Sequence, residues 1–173
     1  MSLYVESNIT FDFTSAAAVI EHDRTVSAVP GGRVHGNSIW PGVDLCIEQP
    51  SGEWIWLEVK NWDPRHIAPS RRGGSRWSFI CKMRSNQFLK EMRVKFLGTM
   101  AYLAWTGSLP TAPVQFVLLF EPPKLLDSAL VGSRMTRLRE LIRNLARWAH
   151  PIRVSVLTLV EWNARFGHIY PAS

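Results

Sequence analysis

Apolar and polar residues alternate over positions 9–13 (ITFDF), the period of a strand with one buried face, and the segment TSAAAVIEH at 14–22 reads as a helix. A stretch crowded with Gly, Pro and Asn at 27–42 then predicts a loop. Two apolar runs, VDLCIEQ at 43–49 and EWIWLEVKN at 53–61, are separated by Pro50, Ser51 and Gly52, the signature of a hairpin. Alternation along the second run puts Trp54, Trp56, Glu58 and Lys60 on one face and Ile55, Leu57 and Val59 on the other. Residues 61–76 break this order. They carry Arg65, His66, Arg71, Arg72 and Arg76 around Gly73 and Gly74 and predict an irregular basic loop.

Helical spacing returns at 86–105, where Phe88, Leu89, Met92, Phe96, Met100 and Leu103 fall on one side. Ser85 predicts the N-cap, Gly107 and Pro110 predict the end, and Lys90 and Arg93 face solvent. VQFVLLFE at 114–121 is apolar almost throughout, the pattern of a strand covered on both faces. A second helix at 128–149 turns Val131, Met135, Leu138, Ile142, Leu145 and Ala149 inward and lines Arg139, Arg143 and Arg147 on an outer stripe. IRVSVLTL at 152–159 reads as a last strand, and Thr158 with Glu161 fits a capping box that opens a short terminal helix. A hairpin followed by strands that alternate with helices predicts an α/β fold, a three-layer sandwich with a central mixed β-sheet flanked by helices. At 173 residues the chain is expected to form a single domain.

Composition adds a charge asymmetry. Residues 1–58 hold eight acids and two bases, whereas residues 59–173 hold six acids and eighteen bases, ten of those bases within 60–95. A basic surface beside an acidic pocket suits an enzyme that acts on a polyanion, because bases neutralise phosphates and carboxylates hold a metal. The apolar stretches at 97–105 and 114–120 are too short to span a bilayer, so no membrane partner is expected. Acids near the first residues speak against a secretory leader, and Cys46 and Cys81 alone allow neither a disulfide framework nor a four-cysteine zinc site. A cytoplasmic, reducing location is the expectation.

The hairpin carries the strongest chemical signal. Asp44 opens its first strand and Glu58-Val59-Lys60 closes the second, with thirteen residues between Asp44 and Glu58. In a tight antiparallel hairpin the start of one strand lies beside the end of the other, so Asp44 can meet Glu58 and Lys60 across the ladder. Two carboxylates at one point repel unless a cation sits between them, and an all-oxygen site suits Mg²⁺ or Mn²⁺. Lys60 can then orient or help deprotonate an attacking water, or stabilise the charge that builds on phosphorus. Glu58-Val59-Lys60 is the only acid-x-Lys tripeptide in the chain.

Asp44 and Glu58-Val59-Lys60, with Glu21 in the preceding helix-like segment, resemble the restriction-endonuclease-like, PD-(D/E)XK, nuclease superfamily, nearest in pattern to its Holliday-junction-resolvase-like branches. The order of elements resembles that family's core over residues 14–159. The resemblance implies Asp44 and Glu58 as metal ligands, the Val59 carbonyl as a further ligand, Lys60 as the catalytic lysine and Glu21 as an auxiliary acid, with Mg²⁺ or Mn²⁺ as cofactor. Pro41 stands three positions before Asp44 instead of directly before it, and Glu91, four after Gln87, stands where exonuclease-like members carry Tyr.

The expectation is a Mg²⁺-dependent endodeoxyribonuclease, with Arg65, Arg71, Arg72, Arg76, Lys82 and Arg84 gripping the phosphates of DNA. The alternative is a nucleic-acid-binding or assembly module that keeps the nuclease fold without cleaving. The Arg139, Arg143 and Arg147 stripe offers a surface to a protein partner or a second copy of the chain, a homodimer or a larger complex. His22, His35, His66, His150 and His168 never fall at metal-ligand spacing, and Trp62 and Trp77 flank the basic loop where they can stack on bases or join the core. No Gly-x-Ser-x-Gly elbow or phosphate-binding Gly-Lys-Ser/Thr loop is present, which disfavours a serine hydrolase or a nucleoside triphosphatase.

Overall fold

The computed structural model describes residues 3–21, 33–34, 41–62, 74–145 and 152–173. At its start β1 (Leu3–Glu6) and β2 (Ile9–Asp12) form an antiparallel hairpin turned by Ser7 and Asn8, both at positive φ. The remaining strands are β3 (Ala18–Glu21), β4 (Arg33–Val34), β5 (Leu45–Glu48), β6 (Trp54–Asn61), β7 (Val114–Glu121) and β8 (Ile152–Leu157). They make one six-stranded sheet in the order β4-β3-β5-β6-β7-β8. β3, β5 and β6 pair antiparallel, while β4 runs parallel to β3, and β6, β7 and β8 run parallel to one another. The helices are α1 (Gly74–Arg84), α2 (Gln87–Trp105), α3 (Ser128–Leu145) and α4 (Leu159–Phe166). The α/β class and the mixed sheet follow the sequence expectation.

Two apolar clusters cover the two faces of the sheet. On one, Cys46, Trp56, Phe116 and Leu118 pack against Phe79 and Met83 of α1, Phe88, Met92 and Phe96 of α2, and Leu138 and Ile142 of α3. On the other, Leu45, Leu57, Val59 and Val117 meet Tyr4, Phe11 and Phe13 of the N-terminal hairpin segment and Trp162 and Phe166 of α4. This second cover is therefore part helix and part hairpin. It is clipped in place by the C-terminal residues, which pair with β2 through reciprocal Thr10 and Ser173 backbone bonds. The run at 114–121, read as a strand covered on both faces, is so here because each side of β7 has its own apolar partner.

Several expectations are corrected. Residues 18–21 are not helical but form β3, antiparallel to β5. A helix at this place would leave β5 as a bare edge, whereas β-branched Val19 and Ile20 each bury on a different face of the sheet. The stretch read as a basic loop to residue 76 gives way to α1 at Gly74, so Arg76 belongs to a helix, the one that also carries Lys82 and Arg84. Its apolar side is Phe79, Ile80 and Met83. The predicted loop at 27–42 includes the short strand β4, and its residues 27–32 and 35–40 lie outside the described residues. The second long helix is described to Leu145, with Arg147 and Ala149 outside. The capping box forms as expected: Glu161 N–H donates to Thr158 Oγ1 at 3.2 Å and Thr158 N–H to Glu161 Oε2 at 2.7 Å. Among the described residues no helix is long and apolar enough to cross a membrane.

Two junctions place α2 against the hairpin. Buried Arg134 of α3 donates to the Met83 and Arg84 carbonyls at 2.8 and 2.9 Å and to Asn86 Oδ1 at 2.7 Å, closing the C-terminal end of α1 and tying it to the start of α2. Further along, Val43 N–H donates to Thr99 Oγ1 at 2.9 Å, and Gly98 lies so near Pro41 that an added Cβ would come within 2.0 Å of its carbonyl oxygen. Gly98→Ala is therefore expected to lower the unfolding free energy by about 1–3 kcal/mol through overpacking. Gly132→Ala, on α3, where an added Cβ meets no atom within 4 Å, is expected to raise it by about 0.5–1 kcal/mol. Equilibrium urea unfolding of both variants checks the two signs, and a fully stable Gly98→Ala protein would refute the close approach.

Candidate active site

The β5–β6 register pairs Leu45 with Leu57 and Glu48 with Trp54, and one further step brings Asp44 opposite Glu58. Asp44 itself stands just outside β5, and its side chain takes over the ladder: Oδ2 accepts the Val59 N–H at 2.7 Å. In an extended strand the N–H and C=O of one residue point to the same edge, so the Val59 carbonyl also lies on the Asp44 side. Glu58 and Lys60 alternate onto the face of Trp54 and Trp56, beneath α2. Glu58 is 0% exposed, and a carboxylate so buried keeps its charge only with a countercharge beside it.

That countercharge comes from α2. Lys95 Nζ sits 3.0 Å from Asp44 Oδ1 and 2.8 Å from the Glu58 carboxylate, bridging the two acids. Lys60 Nζ lies 2.7 Å from Glu58 Oε1 and 3.4 Å from Glu91, and Lys82 of α1 reaches Glu91 at 2.8 Å. Asp44, Lys95, Glu58, Lys60, Glu91 and Lys82 thus form a ladder of alternating sign. Side-chain exposure rises from 0% at Glu58 to 34% at Lys82, so the ladder leads from the interior to the surface. Beside its outer end is a cavity of about 250 Å³ lined by Lys60, Trp62, Ser78, Phe79, Lys82 and Glu91.

Burial raises the Asp44 carboxyl above the usual carboxylate range against the pull of Lys95 and Lys60, and the charge of Glu6 adds to the rise. Burial and then the Asp44 charge raise Glu58 in the same way. The two ammonium groups move upward: burial alone would lower Lys95 and Lys60, but Glu58 and Asp44 hold both above the ordinary lysine range. Glu91 is lowered, because the Lys82 and Lys60 contacts outweigh its partial burial.

The structure brings together Asp44, Glu58, Val59 and Lys60. It places Glu21 on β3 in register with Leu45, fully buried on the sheet face of Leu57, opposite to that of Glu58. Lys82 joins the ladder, while Arg84 lies on exposed α1 surface, 5.9 Å over the Trp77 ring. Arg65, Arg71 and Arg72 lie outside the described residues, as do His22, His35, His66 and His150. Trp62 stacks on Phe79 with ring centroids 4.8 Å apart. Three participants were missed from sequence. Lys95 occupies an inward position of α2, three after Met92 and four before Thr99; a lysine on that buried face demands a countercharge, but nothing local says which. Glu91, one turn before it, was read only as a departure from a family pattern. Glu6 reaches the neighbourhood from the N-terminal hairpin, where Asn61 Nδ2 donates to the Ser7 carbonyl at 3.0 Å, and no local pattern announces that.

No protein-family model, curated protein or solved structure matches this chain.

The two ammonium groups set an alkaline limit on stability. Both keep their protons in the folded state above the ordinary lysine value of about 10.4, where the unfolded chain releases them. Their contribution is complete below that value and is lost as the pH rises toward the folded values. In Lys95→Met one such proton is gone, so the fall of unfolding free energy above about pH 10.5 is expected to be shallower than in the wild type by about 1.4 kcal/mol per pH unit. Urea unfolding of both proteins at several alkaline pH values measures the two slopes; equal slopes would contradict a Lys95 held between the carboxylates.

Proposed function

We propose that the chain is a metal-dependent nuclease that hydrolyses DNA phosphodiester bonds, with a restriction-endonuclease-like core. The observation that carries this reading is the convergence of Asp44, Glu58 and Lys60 at the end of one hairpin, where the spacing of the motif called for it: Asp44 holds the Val59 N–H, Lys60 pairs with the buried Glu58, and Lys95 bridges the two acids. The strands β6 and β7 are parallel neighbours, and the site stands at the carboxyl end of β6, where open α/β sheets bind ligands.

The donors fit the hard cation that the family resemblance implies. Asp44, Glu58 and the Val59 carbonyl offer only oxygen, and an ammonium already stands between the carboxylates as a stand-in charge. Among the described residues no three His, Cys, Asp or Glu side chains converge, so the protein would hold the ion through two carboxylates and a carbonyl. Mg²⁺ retains several waters and accepts so few protein ligands. When bound it supplies Lewis acidity and neutralises phosphate charge.

The chain's own groups do the rest. Lys60, held by Glu58, presents an ammonium to the attacking oxygen or to the charge growing on phosphorus. Lys82 and Lys60 wall the cavity beside the ladder and give a phosphate a seat next to the carboxylates, with the ring of Trp62 as its apolar side. Arg65, Arg71, Arg72, Arg76 and Arg84 extend this grip along the backbone of the nucleic acid, an electrostatic contact without base preference. The alternative reading, a binding or assembly module that retains the fold without cleaving, draws on one observation: Lys95 already neutralises the carboxylate pair.

Incubation of the purified chain with circular and linear DNA in Mg²⁺, Mn²⁺ or EDTA, beside Lys60→Ala, separates the two. Cleavage is expected in either metal and not in EDTA, with Lys60→Ala slower by about 10²–10⁴-fold. Folded wild-type protein that binds DNA but cuts in neither metal would overturn the nuclease and leave the binding module.

A further inference from the structure

Lys95 belongs to no part of the sequence motif, yet it makes the closest approach to both acids at once. Its ammonium lies within 3.0 Å of Asp44 and 2.8 Å of Glu58. A divalent ion held by the same two carboxylates would compete for the place that this ammonium fills. Two cations cannot share it, because their repulsion grows as the distance between them falls.

We propose that Lys95 is the built-in counter-ion of this centre and that a divalent metal binds only by displacing it. The inference rests on the metal-dependent reading of the site. Three features make the exchange feasible. The ammonium is carried on a flexible four-carbon stem, so it can leave without moving α2. The helix itself stays fixed, because its Gly98–Thr99 turn lies against Pro41 and Val43 and takes only the Lys95 backbone carbonyl, not its ammonium. Glu91, one turn earlier on the same helix, is a carboxylate at the spacing that best receives a lysine four residues on. Glu91 is shared at present by Lys60 and Lys82, the two lysines that line the neighbouring cavity. A phosphate seated there would draw both away and free Glu91 for Lys95, so metal and nucleic acid would favour each other's binding.

The device answers a problem that the site otherwise has. Without metal, Asp44 and Glu58 would be two buried carboxylates in mutual repulsion. With Lys95 between them the metal-free chain folds, and the metal's affinity is reduced by the competition.

The test is Mn²⁺ binding without nucleic acid, followed by the loss of the free-ion electron paramagnetic resonance signal, on wild type, Lys95→Met and Lys95→Gln. Tm is measured on the same proteins in EDTA and in Mn²⁺. Removal of the ammonium is expected to tighten Mn²⁺ binding at least about ten-fold, equivalent to about 1.4 kcal/mol, and to make the variants less stable in EDTA but more strongly stabilised by Mn²⁺ than the wild type. Adding Asp44→Asn to either variant is expected to abolish the gain. A variant that folds only when Mn²⁺ is present supports the exchange equally. Folded variants that bind Mn²⁺ no tighter than the wild type would overturn it while leaving the nuclease intact, and so would tight binding that survives Asp44→Asn. If both variants fail to fold with or without Mn²⁺, Lys95 is an obligatory structural ion and the exchange is refuted. If folded wild type and variants alike bind no Mn²⁺ and cut no DNA, the metal-dependent reading falls first.

Discussion

Two carboxylates buried at the end of one hairpin cannot stay there as bare charges, and much of the architecture follows from how they are neutralised. Each charge removed from water costs several kcal/mol unless it is paired and hydrogen-bonded. Asp44 is satisfied by the Val59 N–H and Lys95, while Glu58 is ion-paired with Lys95 and Lys60, its Oε2 accepting the Lys95 hydrogen bond. For Lys95 to reach both, α2 must run close over the start of β5, and the chain permits this with Gly98 against Pro41 and with a hydroxyl, Thr99, that accepts the Val43 N–H. The tight helix approach, the departure of the chain from β5 and the lysine are parts of one electrostatic solution.

The rest of the fold keeps that solution in register. The two apolar clusters bury the central strands from both sides, and the ladder leads from buried Glu58 through Lys60 and Glu91 to the surface. Arg134 holds α1 and α2 in a fixed relation, and this sets Lys82 against Glu91 at the rim. On the opposite face Glu121 Oε1, at the end of β7, receives the Leu159 N–H at 2.6 Å and fixes the start of α4. The basic second half of the chain contributes to the site from helices: Lys82 from α1 and Lys95 from α2.

The hairpin, β7, α2 and the capping box of α4 were legible because each is specified by neighbours in sequence: an alternation, a continuous apolar run, a helical repeat, or Thr158 three residues before Glu161. β3 was misread because the run Ala16-Ala17-Ala18 at its start favours a helix locally, and only the unpaired edge of β5 demands a strand. α1 escaped because its glycine-rich, arginine-rich onset hides the apolar positions Phe79, Ile80 and Met83. The same contrast runs through the site. Asp44, Glu58 and Lys60 share one hairpin, so turn length and alternation place them together. Glu21 was assigned to the group from a helix that does not form, and strand alternation turns it to the other face.

By itself the sequence determined the class of fold, the hairpin and the meeting of an acid pair with a lysine, since these depend on periods of two and of three to four residues and on one tight turn. Only the tertiary structure decided what neutralises the pair. Lys95 is fifty-one residues from Asp44 and thirty-seven from Glu58, and its position depends on how closely a helix packs on a sheet. Charge compensation acts through space at about 3 Å, without regard to separation along the chain, so no local pattern encodes it.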